Sequence, residues 1–151
     1  MQIIKDKKIT EDHWQFVADD QDIPQTGDIT VSVSRWLNDK DSFARREGQT
    51  GLRIRSTDAL EDIAGDLAGM PLVELDIAMF GDGRSFSQAW LLRNRYHYRG
   101  EIRAVGNYLI DQIFYLHRTG VDAFQLDESR KPEDALAALN DFSVAYQPSV
   151  N

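Results

Sequence analysis

LVELDIAMFGDGRSFSQAWLLRNRYHYRGEIRAVG, Leu72–Gly106, contains a complete strand–helix–strand unit, and its reading decides the fold class. Leu72–Ile77 and Ile102–Val105 are short, mostly apolar runs of strand character. Between them, Ser85–Tyr96 sets Phe86, Ala89, Trp90 and Leu92 on one side at helical spacing. A helix between two strands returns the chain to its starting edge, so the strands run parallel and the crossover is right-handed.

The same alternation extends in both directions. Ile29–Val33, Leu52–Arg55 and Ala123–Leu126 also have strand character, and a stretch with helical potential follows each. Asp58–Ala68 carries a stripe of Leu60, Ile63, Ala64 and Leu67, and Tyr108–Arg118 one of Leu109, Ile113 and Leu116. In Pro132–Asp141 the proline suits a first turn, and Ala135, Leu136 and Leu139 turn inward. Met1 to roughly Gln25 alternates apolar and polar residues in short pieces and ends in the turn-rich QDIPQTGD, which reads as a peripheral N-terminal hairpin or arm.

These elements predict one α/β domain over 1–151, with the arm at 1–25, a βα core at 26–142 and a C-terminal tail at 143–151. A closed eight-stranded barrel typically takes about 250 residues. The expectation is therefore a parallel open sheet or a partial (β/α) barrel with a short N-terminal β arm. In either, loops at the carboxyl ends of the strands share one rim, where ligands usually bind.

Composition narrows the function. A formal net charge of −8 repels phosphates at long range and argues against nucleic acid as a partner. Local clusters such as Arg45-Arg46 and Arg93-Asn94-Arg95 could still hold one small anion. The absence of cysteine excludes disulfides, a thiolate nucleophile, and cysteine-bound zinc or iron–sulfur clusters. No stretch approaches the roughly 18 uninterrupted apolar residues of a membrane span, so a cytoplasmic protein is expected.

Chemistry-bearing groups are densest in FGDGRSFSQAWLLR, Phe80–Arg93. Gly81 and Gly83 allow close backbone approach, Ser85 suits an N-cap, and Arg84 beside free helix N–H groups would seat an anion. The alternative is a plain strand-to-helix turn in which Asp82 closes the loop and Arg84 forms a surface ion pair. A second rim loop, Gly106-Asn107, follows IRAV, and a buried Arg103 there requires either an internal carboxylate, Asp76 or Asp111, or an anionic ligand. The stretch matches neither a P-loop nor a dinucleotide fingerprint. His13, His97 and His117 lack metal-ligand spacing, and Ser85 and Ser87 lack a nucleophile elbow. Paired acids such as Asp19-Asp20 and Glu61-Asp62 read as solvated turn or helix-start charges.

Read as one block, DGRSFSQAWLLRNRYHYRGEIRAVGNYLIDQIFYLHRTGVDAF resembles the bacterial domain-of-unknown-function family 934. Its pattern is met by Phe80, Asp82, Gly83, Arg84, Phe86, Ser87, Ala89, Leu91, Leu92 and Arg93, then by Gly100, Glu101, Arg103, Ala104 and Gly106. Asp111, Gln112, Arg118, Gly120, Asp122, Ala123 and Phe124 complete it. Thr119 stands where members often carry cysteine, so a redox role of that position would not apply here, and Gly81 also departs from the common residue.

Members are encoded beside sulfite reductase and phosphoadenylylsulfate reductase and are often labelled oxidoreductases. The resemblance thus implies an accessory protein of assimilatory sulfite reduction that binds the sulfite reductase hemoprotein or a small anionic ligand at the rim. Asp82, Gly83, Arg84, Ser85, Ser87, Arg103, Gly106 and Asn107 would form the site, with Arg93, Asp111 and Gln112 in support. The alternative is an enzyme acting on an anionic sulfur compound with a bound nicotinamide or flavin, although the chain announces no cofactor or metal. Homo-oligomer formation stays open.

Overall fold

A computed structural model describes residues 1–146, with side chains through Asn140. The strands are β1 (Gln2–Lys5), β2 (Lys8–Glu11), β3 (Gln15–Phe16), β4 (Ile29–Ser32), β5 (Thr50–Arg55), β6 (Leu72–Ile77), β7 (Glu101–Gly106) and β8 (Ala123–Gln125). They form one sheet in the order β2-β1-β8-β7-β6-β5-β4-β3. From β3 to β8 every neighbouring pair is parallel, and the β1–β2 hairpin joins β8 antiparallel.

Chain length forces this sheet to curl. β2 and β3 lie at opposite ends of the strand order, yet β2 ends at Glu11 and β3 begins at Gln15. Seven strand spacings across a flat sheet would part the edges by about 34 Å. Four residue steps span at most about 14 Å. The edges must therefore come round towards each other, as in the partial-barrel form of the expected architecture.

The outer face of the curl carries the apolar core. Leu52, Ile54, Val73, Leu75, Ile77, Ile102, Ala104 and Phe124 pack there against Ala89 and Leu92 of α3 (Arg84–Asn94). They also meet Ile113 and Leu116 of α4 (Ile113–Thr119), and Ala135 and Leu139 of α5 (Pro132–Tyr146). The inner face carries the buried polar groups Thr30, Glu74 and Arg103 among the buried apolar residues Ile3, Leu72, Val105 and Ala123. That division explains the strand sequences, in which apolar and charged residues alternate although both faces are covered.

Several boundaries moved for identifiable reasons. Val33 leaves its strand because Ser32 caps a helix, its Oγ accepting the Arg35 N–H at 3.2 Å; Val33–Asn38 becomes α1, and Lys40–Ala44 becomes α2. The stripe Leu60, Ile63, Leu67 is buried, but on a 3₁₀ segment, Leu60–Gly69. Tyr108 and Leu109 stay outside their helix, which starts with a 3₁₀ turn at Ile110–Gln112, because Gln112 Oε1 accepts the Leu109 N–H at 2.9 Å. The N-terminal strand pair is built into the sheet rather than lying apart from it, with Ile3 and Ile4 fully buried. Of the C-terminal tail expected over 143–151, residues to Tyr146 continue α5, and the remainder lies outside the described residues.

Candidate functional site

The loops after β6 and β7 are fixed by polar side chains that hold backbone. Gln112 Nε2 donates to the Phe80 carbonyl at 2.7 Å, and Asn107 Nδ2 donates to Ala78 O at 2.9 Å. Arg130 Nη2 donates to Gly106 O at 2.6 Å and Tyr108 O at 2.7 Å, while its guanidinium lies 3.9 Å above the Tyr108 ring. Gly106 is required at the junction: its φ is +92°, and a Cβ there would come within 2.5 Å of the Ile77 carbonyl.

Around this rigid frame lies a cleft of about 540 Å³ lined by Ala78, Met79, Phe80, Asn107, Tyr108 and Leu109, among others. Three of its large apolar side chains face water, with Met79 70%, Phe80 56% and Leu109 43% exposed. Ordered loops that leave apolar side chains outside are the arrangement of a preformed contact surface.

The Asp82–Arg84 unit stands at the same rim. Arg84 Nη2 donates to Asp82 Oδ2 at 2.8 Å and Nε to Oδ1 at 3.0 Å, and the Arg84 backbone N–H donates to Oδ1 at 3.0 Å. These bonds, helped by the Ser56 hydroxyl, hold the Asp82 carboxyl well below the usual range. The helix cap is Gly83, not Ser85, which is buried inside the first turn, while Ser87 and Asp111 are exposed. Arg84 is thus occupied by its neighbour in this state.

The arginines do not converge. Arg103 lies inside the curl, where Nη2 meets Glu101 Oε2 at 2.7 Å and Nη1 lies 2.8 Å from Asp12 Oδ1, a contact poorly aligned for a hydrogen bond. Its carboxylates are Glu101 and Asp12, rather than Asp76 or Asp111. Arg93 works at the amino ends of the strands, donating to the carbonyls of Tyr98 at 2.8 Å, Gly100 at 2.7 Å and Gly120 at 3.0 Å, and to Asp122 at 3.2 Å. Arg46 is likewise buried, on the carbonyls of Pro24 and Gln49. Thr119, at the position of the family's frequent cysteine, donates to Leu116 O at 2.7 Å in the last turn of α4.

His13 pairs with Asp28 at 2.8 Å, and the His117 ring nitrogen lies 3.1 Å from the Val121 carbonyl. Among the described residues no group of three or more His, Asp or Glu is placed to hold a metal. No described helix is long and apolar enough to cross a membrane. Tyr108 and Arg130 escaped sequence reasoning, since Arg130 sits in the unremarkable DESRK and gains its place only when β7 and β8 become neighbours.

Acid sensitivity follows from the charged turns. Asp28, Asp82 and Asp127 have lowered pKa values, led respectively by the Gln49 backbone N–H, the Arg84 side chain and the Ser129 side chain, and in Asp66 burial, which raises the value, is outweighed by the Trp36 and Lys40 side chains. Their contribution to stability is complete above the ordinary aspartate pKa of about 3.9 and is lost as pH falls through the lower folded values. Asp122, raised by burial, acts with the opposite sign. Melting temperature measured from pH 6 downwards should therefore begin to fall below about pH 4.5; a melting temperature that rises into that range would contradict the four-to-one balance.

Neither a search of curated proteins nor one of solved structures returned a match. A family model does match, over residues 51–151, which begin within β5 and include both rim loops, the cleft residues, Arg93 and Arg103. The chain belongs to the family described as bacterial protein of unknown function, DUF934.

Proposed function

We propose that the protein is an accessory component of assimilatory sulfite reduction that docks on the sulfite reductase hemoprotein through the β6 and β7 rim loops. The observation that carries docking is the exposure of Met79, Phe80 and Leu109 on loops whose backbones are pinned by Gln112, Asn107 and Arg130. Solvent-exposed anchors that need no reordering lose little entropy on association, which favours use as a contact surface. The choice of partner rests on the gene neighbourhood implied by the family resemblance. The net charge of −8 suits a basic patch on that partner and makes association salt-sensitive.

The test is co-purification and a titration of the purified hemoprotein at low salt. Phe80→Asp, which leaves the Gln112 bond to its backbone intact, should weaken binding about ten- to a hundredfold. No complex with the unsubstituted protein at low salt would end this reading. The cleft volume of about 540 Å³ favours a second one, an enzyme with a bound nicotinamide or flavin acting on an anionic sulfur compound. That reading requires a thermal shift with one of those cofactors.

A further inference from the structure

Charges on the inner face of the curl are arranged in layers, and the layers differ in how they are satisfied. Arg53 and Glu74 are register neighbours with a 2.9 Å ion pair; Thr30 Oγ1 donates to the same Glu74 oxygen at 2.7 Å, and Phe16 lies 4.0 Å beneath the Arg53 guanidinium. Two residues further along β5 and β6, alternation brings Arg55 and Asp76 to the same face, again as register neighbours, at the carboxyl mouth of the curl. Here the pairing stops.

Asp76 is half-buried, and its carboxylate has no hydrogen bond or ion pair among the described residues. Arg55 has a side chain 58% exposed and reaches only Asp19, at 3.8 Å, beyond hydrogen-bond length. The Asp19 carboxylate and the Arg55 backbone are nonetheless held in place. Asp19 accepts the Ser32 hydroxyl at 2.6 Å, and the Arg55 backbone is held by Asp58 Oδ2 at 2.8 Å and by Gln88 Nε2 at 2.9 Å. On the far side, the absence of a side chain at Gly106 leaves the Asp76 flank clear, since a Cβ there would stand 2.9 Å from Asp76 Oδ1. A fold that pairs its charges one layer down presents, at its open end, a guanidinium on an anchored backbone, with Asp76 at the neighbouring register position and Asp19 in weak contact.

We propose that this mouth binds a small zwitterion of the α-amino-acid type, with its carboxylate on Arg55 and its ammonium on Asp76, while Asp19 steadies Arg55 from the other side. Charge selects the class. Both signs are on offer, so a simple anion answers Arg55 but leaves Asp76 without a partner, and a simple cation answers Asp76 but leaves Arg55 without one. A molecule carrying both charges a few ångströms apart answers each of them. The ammonium must also bring N–H donors, because an ionised carboxylate only accepts.

The proposal uses none of the exposed docking side chains Met79, Phe80 and Leu109 and does not rest on the docking reading. The experiment is a two-dimensional NMR titration of the full chain with glycine, L-serine and L-glutamate, and with acetate, methylammonium and glycine betaine as probes lacking one charge or the N–H donors. The amino acids should bind with Kd of about 0.1–1 mM, and the three control probes at least about tenfold more weakly. Asp76→Asn and Arg55→Gln should each weaken amino-acid binding about tenfold or more, with unchanged dispersion of the remaining resonances. No shift with any amino acid at about 10 mM, acetate binding as tightly as glycine, or undiminished affinity in Asp76→Asn would each overturn the proposal. The Phe80→Asp titration against the hemoprotein reads the docking surface alone, so the two can fail independently.

Discussion

Replacing Arg103 by alanine is expected to destabilise the fold by about 3–5 kcal/mol, because it strands Glu101 and Asp12 as buried carboxylates without their cation. The Arg103 side chain is 2% exposed, Asp12 4% and Glu101 10%, so water cannot take over. Lys5, 3.0 Å from Glu101, relieves part of the loss on one side, but no described cation other than Arg103 is paired with Asp12. The pair also joins distant parts of the chain: Asp12 lies in the three-residue link between the edge strands, and Arg103 in the middle of the sheet. Chemical denaturation checks this. Arg103→Met together with Asp12→Leu and Glu101→Leu should recover much of the loss, since replacing all the charged partners by apolar groups of similar volume is often nearly neutral. A single Arg103→Ala costing under about 1 kcal/mol would show that the inner face is wetter than its exposure implies.

Arg93→Ala is the second large effect, expected at about 2–4 kcal/mol. Its guanidinium donates to three backbone carbonyls and to Asp122, which in turn accepts the Ile102 N–H at 2.8 Å. One side chain therefore ties α3 to the starts of β7 and β8. The side chain is 22% exposed, so water satisfies part of what is lost, which places the estimate below the sum of the individual bonds. Gly120 belongs to the same clamp: its φ is +122°, and an added Cβ would collide with the Arg93 side chain. Gly120→Ala should accordingly be destabilising, and combined with Arg93→Ala the cost should fall short of the sum, because both disturb one set of contacts. Strict additivity in a double-mutant cycle would refute the clamp.

These two arginines show how motif residues divide between structure and surface. Arg84, Arg93 and Arg103 all fall in the stretch that resembles the family, and sequence spacing treats them alike. In the fold they stand at the carboxyl rim, the amino rim and the interior respectively. Arg84 is the one of the three at the surface where a partner would meet it, and there Asp82 already holds it. A ligand that recruits Arg84 must compete with that bidentate neighbour. Arg103 and Arg93 are occupied by partners within the chain, and substituting them would reduce any activity through the fold.

The sequence by itself determined the alternation of strand and helix, the parallel run from β4 to β8 and the boundaries of Leu72–Ile77 to the residue. Those features follow from local periodicity and from the geometric need of a crossover between parallel strands. It also indicated that the loops after β6 and β7 share a rim. Only the tertiary structure decided that the sheet curls, because the decisive constraint is that strands at opposite ends of the order are three residues apart in the chain. Only the tertiary structure, too, assigned Asp12 to Arg103, Arg130 to the β7 loop, and Arg55 and Asp76 to one open mouth. Charge partners of this kind are set by register and by curvature between segments far apart in sequence, and periodicity carries no information about either.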